Sequence, residues 1–210
     1  MQIQAASSLS LAFVTLRLSC AVASKATSCH ALSPASERVA VALSYALGFC
    51  AFKLCAYTDG AFATLSALLS GPRHLVLTDT RALRHTAGAW SRANVVCVGD
   101  ALKTRALAFR FGRSKACSQL DVICKLLLAS RSQRVVLALG TSPTAVLRAV
   151  NMIARAGFQV GVVVACPVGR VNSRLAKRAL EAESCQFCVV RGKLGGVAVA
   201  ATVLNAAARR

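Results

Sequence analysis

Five short apolar runs, rich in β-branched residues, punctuate the chain at 75–78, 95–98, 135–139, 160–165 and 187–190, each bounded by turn residues or charge. They are apolar throughout rather than alternating, which is the mark of strands buried on both faces. Between and after them the spacing predicts helices over 101–111, 116–129, 143–156, 172–181 and 195–208, and two more upstream at 34–53 and 59–69. Pro143 suits a first helical turn. Asp59 reads as an N-cap and Gly71 as a stop. Apolar strands alternating with helices imply a mostly parallel sheet, and right-handed crossovers make it a five-stranded, doubly wound α/β three-layer sandwich. No internal repeat, low-complexity tract or linker breaks the pattern, so 1–210 reads as a single domain.

Composition narrows the class. The chain has 210 residues, 56% hydrophobic and 16% charged, which excludes a disordered protein. The apolar run 9–16 imitates a signal peptide, but no Lys or Arg precedes it and Arg17 interrupts it. No uninterrupted apolar stretch reaches the roughly 20 residues that a membrane helix needs. The expectation is a soluble, cytoplasmic protein that keeps its N-terminus. The ten cysteines mostly lie inside apolar runs, as Cys97 and Cys166 do, and read as small buried hydrophobes with reduced thiols. Cys185-Gln-Phe-Cys188 has ligand spacing, but it has no second such pair, and His30, His74 and His85 make no His-x3–5-His pair. No metal is expected.

Charge points to an anionic partner. There are 26 Lys and Arg against 7 Asp and Glu, a formal charge of +19, which suits nucleic acid, an acidic membrane surface or a polycarboxylate ligand. The cations are scattered without a run of five, and one Trp, two Tyr and eight Phe leave little for base stacking. In a doubly wound sheet the ligand sits beyond the carboxyl ends of the strands. Thr78-Asp79-Thr80 follows the first run, Gly140-Thr141-Ser142-Pro143-Thr144-Ala145 the third, Cys166-Pro167-Val168-Gly169-Arg170 the fourth, with Lys177 beyond it, and Arg191-Gly192-Lys193-Leu194-Gly195-Gly196 the fifth. Two of these small-residue loops enter helices and so offer backbone N–H groups to anions. Arg191, Lys193 and Lys177 add cations at the same end. There is no GxxxxGK[ST], no GxGxxG, no Ser-His-Asp set and no pair of suitably spaced carboxylates, so the loops look built for carboxylates rather than nucleotides.

Three of these blocks carry a family resemblance. Gly140-Thr141-Ser142-Pro143-Thr144-Ala145 is similar to G-N-A-P-T-A of the precorrin-8X methylmutase (precorrin isomerase) family of cobalamin (vitamin B12) biosynthesis. Pro167-Val168-Gly169-Arg170-Val171 with Lys177 resembles its P-V-G-F-V followed by E-S-K, and Val190 to Gly196 with Asn205 resembles V-R-G-R-x-G-G-S…N. Fainter likeness upstream takes in Leu32-Ser33-Pro34, Thr78-Asp79-Thr80 and Gly112-Arg113-Ser114, so that roughly residues 15–208 are covered.

The resemblance implies a flavodoxin-like fold, a homodimer and an isomerase without a cofactor. It implies movement of a methyl group from C11 to C12 of precorrin-8X, giving hydrogenobyrinic acid or its cobalt counterpart. Carried over position by position, it implies substrate binding by Ser19, Arg113, Lys177, Gly140, Thr144, Gly169, Arg191, Gly195 and Gly196. Tyr45 falls where the family has its proton-donating histidine, and an imidazole suits neutral-pH proton transfer better than a phenol does. His30, His74 and His85 are the alternatives for that role. Other departures are Thr141 for N, Leu175-Ala176 for E-S and Val197 for S. Two other classes remain open: a non-catalytic tetrapyrrole carrier, suggested by the missing histidine, and a basic nucleic-acid-binding protein.

Overall fold

Every apolar run contributes a strand, and in the central strands the side chains divide between two covered faces. The computed structural model describes residues 33–47, 51–71, 74–88, 94–97, 102–129, 135–156 and 160–208. Its elements are α1 (Pro34–Leu47), a 3-10 turn (Ala51–Leu54), β1 (Cys55–Tyr57), α2 (Ala61–Ser70), β2 (Leu75–Thr78), α3 (Arg81–Gly88), β3 (Asn94–Cys97), α4 (Leu102–Arg110), α5 (Lys115–Ala129), β4 (Val135–Leu139), α6 (Pro143–Ala156), β5 (Val160–Ala165), α7 (Ser173–Glu181), β6 (Phe187–Val190) and α8 (Val197–Ala208).

The sheet has six strands in the order β1-β6-β5-β4-β2-β3. All neighbours are parallel except β1, which runs antiparallel to β6 with Cys55 opposite Val190 and Tyr57 opposite Cys188. The five expected strands therefore stand in the flavodoxin-like order, and their direction of winding reverses between β2 and β4. Gly161 is bulged out of the β4–β5 ladder, since Val135 faces Val160 and Val136 faces Val162.

Alternation along the strands sorts the core. Val136, Ala138, Val162, Val164, Cys188 and Val190 point to one face, where they pack with Leu43 of α1, Phe62 of α2, Leu83 of α3 and Leu204 of α8. Val135, Leu137, Leu139, Val163, Ala165 and Val189 point to the other, against Leu120 of α5, Val146 of α6 and Leu180 of α7. Cys166 and Cys188 are buried, and Cys55, Cys97, Cys117 and Cys185 half-buried, all as free thiols.

Several boundaries differ from the sequence reading. The sheet gains the edge strand β1, and α3 is a helix that the pattern did not announce. The helix expected over 34–53 ends at Leu47 and a separate 3-10 turn follows. Asp59 is not a cap: α2 begins after Gly60, whose φ of 76° makes the turn, and no side chain caps it. Gly71 does end α2, in an extended conformation with φ −90°. The last helix starts at Val197 because Gly195 and Gly196, at φ 156° and 103°, lie outside helical geometry. Among the described residues no helix is long and apolar enough to cross a membrane.

Candidate active site

The winding reversal brings Asp79, at the end of β2, beside the loop that leaves β4. Its carboxylate accepts hydrogen bonds from the backbone N–H groups of Gly140 at 3.0 Å, Thr141 at 2.8 Å and Ser142 at 3.3 Å. It also accepts one from the Thr141 hydroxyl at 2.8 Å. The loop does form a cluster of N–H donors suited to an anion, but the anion is the chain's own side chain. Gly140 is pressed against α8: a Cβ there would lie 3.2 Å from Cα of Val197.

One residue on, α6 is tied to the α4–α5 turn. The Thr144 hydroxyl lies 2.8 Å from that of Ser142 and 2.7 Å from that of Ser114. The Cys117 thiol donates to the Thr144 carbonyl at 3.1 Å. Arg113 is exposed, packs 5.5 Å over the Phe111 ring and pairs with Asp121 at 3.0 Å. Asp121 also receives Arg148 at 2.6 Å.

The next two strand ends are joined backbone to backbone. The Gly196 N–H donates to the Cys166 carbonyl at 2.6 Å. A side chain at Gly195 would collide with that carbonyl and lie 2.8 Å from the one of Pro167. Gly169 sits free at φ 122° in the exposed turn between β5 and α7. Lys177 is buried, at 1% exposure, so it does not belong to a solvated helix face. Its Nζ donates to the carbonyls of Leu194 at 2.7 Å and Gly192 at 3.2 Å, tying α7 to the loop after β6. Burial lowers its pKa, which the nearby Cys166 thiol opposes. Burial pushes the Cys166 thiol up to about 12.

Arg191 leaves the end of β6 and forks onto Glu181, with Nε 3.0 Å from one carboxylate oxygen and Nη2 2.9 Å from the other. Glu181 raises the guanidinium's pKa through this pair. Beside it opens a cleft of about 440 Å³ lined by Arg174, Lys177, Arg178, Glu181, Arg191 and Gly192. Val168, Val171, Leu175 and Leu194 are exposed around the same loops.

Tyr45 stands near the end of α1 and is 62% exposed. The Arg38 Nε donates to the Ala206 carbonyl near the end of α8, so α1 and α8 run oppositely. After the 3-10 turn, the Leu54 carbonyl accepts from the Arg191 N–H. The end of α1 is thereby turned toward the carboxyl ends of the strands, where the loops lie. His74 immediately precedes β2, at the opposite end of the sheet, and His85 is exposed on α3. Ser19 and His30 lie outside the described residues. Of the expected set, Gly140, Thr144, Gly169, Lys177, Arg191, Gly195 and Gly196 share the carboxyl end, with Arg113 on the turn bonded to Thr144 through Ser114.

The sequence reading placed Asp79 only as a strand-end turn residue and did not single out Asp121 or Glu181. Asp79 holds the loop after β4, Asp121 holds Arg113 and Arg148, and Glu181 holds Arg191. In a chain with only 7 acidic residues against 26 cations, scarcity itself was a usable signal. Among the described residues no group of His, Cys, Asp and Glu is arranged to hold a metal.

Comparison with known proteins follows the same line. The model of the family described as Precorrin-8X methylmutase matches residues 16–210. A Precorrin-8X methylmutase of Sinorhizobium sp. is 32% identical over 117 residues, which are 55% of this chain and 53% of that protein. The chain thus spans about half the length of that relative. One from Pseudomonas aeruginosa is 29% identical over 157 residues, 72% of this chain and 73% of its own. Among solved structures, a "precorrin-8X methylmutase related protein" superposes with a TM-score of 0.76 at 23% identity, covering 91% of this chain and 97% of that one. The precorrin-8X methyl mutase of Thermus thermophilus gives 0.73 at 23% identity, covering 92% and 94%. At such identity the superpositions speak for the fold. The comparisons lend no support to the carrier or the nucleic-acid-binding alternative.

Proposed function

The chain belongs to the precorrin-8X methylmutase family, and from that premise we propose that it is the isomerase that moves a methyl group from C11 to C12 of precorrin-8X. The match over residues 16–210 is the observation that carries this reading. The geometry supports it in a particular way. A migrating methyl group needs no nucleophile and no hydride carrier. It needs the macrocycle held in one tautomer and one orientation, with a proton delivered to it.

The substrate carries a fringe of acetate and propionate carboxylates. Cations and loop N–H groups at the carboxyl end of the sheet are the groups that receive such a fringe. In this reading Arg113 and Arg191 meet the fringe, Lys177 holds the loop after β6 from behind, and the backbone at Gly140, Thr144, Gly169, Gly195 and Gly196 shapes the wall against which the macrocycle rests. Ser19 adds a hydroxyl contact. Tyr45, exposed at the same end, donates the hydrogen bond or proton that selects the reactive tautomer. The protein works as a homodimer in the cytoplasm.

The test is a titration with hydrogenobyrinic acid followed by absorbance, and then conversion of precorrin-8X under the same conditions. Saturable binding together with turnover is expected. Tyr45→Phe should lower kcat with little change in KM, and Tyr45→His should raise kcat. Binding without turnover would make the protein a carrier. If Tyr45→Phe leaves kcat unchanged, the proton comes from another residue.

A further inference from the structure

The cleft beside α7 has an electrostatic imbalance that the residues carried over from the family do not account for. Its walls hold Arg174, Lys177, Arg178 and Arg191 against one carboxylate, Glu181. Glu181 is committed to Arg191, and the Lys177 Nζ is held by two carbonyls. Among the described residues neither Arg174 nor Arg178 has a carboxylate within ion-pair distance. The two stand one turn apart on the exposed side of α7, so their guanidiniums repel one another unless an anion lies between them.

The dimensions and the surroundings select the ligand. A volume of about 440 Å³ admits one or two carboxylate arms and is too small for a substituted tetrapyrrole ring. The exposed apolar side chains Val171 and Leu175 lie on the entry and first turn of the same helix, and Leu194 on the loop that Lys177 holds. They offer an apolar shelf next to a cationic slot.

We infer that the slot receives a carboxylate side arm of the macrocycle and that Arg174 and Arg178 are the residues that bind it. This rests on the function proposed above. Two planar guanidiniums suit a carboxylate better than point charges do, because each offers paired N–H donors. The Arg191–Glu181 pair, in the same lining, limits how much charge the slot presents.

The test uses the full chain and two surface variants, R174Q/R178Q and E181Q, checked for an unchanged thermal midpoint. R174Q/R178Q should bind hydrogenobyrinic acid roughly tenfold more weakly, with a flatter dependence on salt, because two solvent-exposed ion pairs are lost. For precorrin-8X its KM should rise while kcat holds. E181Q should bind a few-fold more tightly, since it frees Arg191 and removes the opposing carboxylate. A merely structural ion pair predicts the reverse sign. Free tricarballylate serves as a probe of the competing source of carboxylate. If it binds the parent protein and not R174Q/R178Q while corrinoid affinity is equal in both, the slot belongs to a small free acid and the assignment is overturned. Equal corrinoid affinity with no tricarballylate binding overturns it as well. A parent protein that neither binds the corrinoid nor converts precorrin-8X sinks the function and the slot together, whereas one that does both with R174Q/R178Q unaffected sinks the slot alone.

Discussion

At the scale of single residues, Asp79 carries the largest structural responsibility at the site. Four hydrogen bonds converge on its carboxylate, three from consecutive backbone N–H groups and one from the Thr141 hydroxyl. Removing it leaves those donors without their acceptor. Asp79→Ala is expected to lower stability by about 2–3 kcal/mol, read from the urea unfolding midpoint, because part-buried donors left without an acceptor bear their desolvation penalty uncompensated. Asp79→Asn retains one oxygen and should lose less. Equal stability of all three proteins would mean that the loop holds its shape without the carboxylate. From sequence alone Asp79 reads as an end-of-strand turn residue, and nothing local distinguishes that from its actual role. The partners lie 61 to 63 positions away, and only the crossover between β2 and β4 joins them. Lys177 is a similar case. A lysine on a helix is solvated by default, and its burial follows from the loop after β6 folding over it.

At the scale of elements, the close contact between two strand-end turns is the feature most open to test. Gly195 faces the carbonyls of Cys166 and Pro167, and a methyl group there has no room. Gly195→Ala should cost about 2–3 kcal/mol through overpacking. Gly169→Ala meets no atom within 4 Å and should cost only the backbone strain of its positive φ, about 1 kcal/mol. A thermal-melt comparison of the two variants separates the effects; equal losses would show that conformation and not contact decides. Most elements were legible because both faces of the sheet are covered, which makes the strands apolar throughout, and α6 begins at Pro143 and ends at Ala156 as its pattern indicates. The failures have equally physical causes. β1 has three residues, all half-buried, too few to display any period. Among the described residues of α3, Leu83 is the one buried position, too little for an apolar stripe to announce the helix. At the start of α2 the turn geometry of Gly60 outweighs the capping propensity of Asp59.

At the scale of the whole molecule, the buried thiols tie stability to pH. Burial pushes the Cys166 thiol up to about 12 and raises Cys185, while Cys188 lies well above the ordinary thiol range chiefly because of its hydrogen bond, at 3.6 Å, with the Cys55 thiol. Below about pH 8.5 both the folded and the unfolded chain keep these protons. Above it the unfolded chain ionises while the fold does not, so stability present at neutral pH is lost as pH rises toward 12. Lys177 opposes this, because its lowered pKa lets the unfolded chain hold the extra proton just below lysine's ordinary value of about 10.4. The thiols outnumber it. The urea midpoint is expected to fall between pH 8 and 10, and to fall less steeply in Cys166→Ala; parallel curves would remove Cys166 from the account. The topology has a different kind of consequence. β1 finds its strand partner in β6, and α1 lies along α8, with Arg38 reaching Ala206 across 168 positions. On the ribosome, the early segments therefore wait with their apolar sides uncovered until the last helix has left the exit tunnel. Closing such distant pairs is slow, and the interval exposes sticky surface. A nascent chain halted before Val197 is therefore expected to engage chaperones more than one whose α8 has cleared the tunnel.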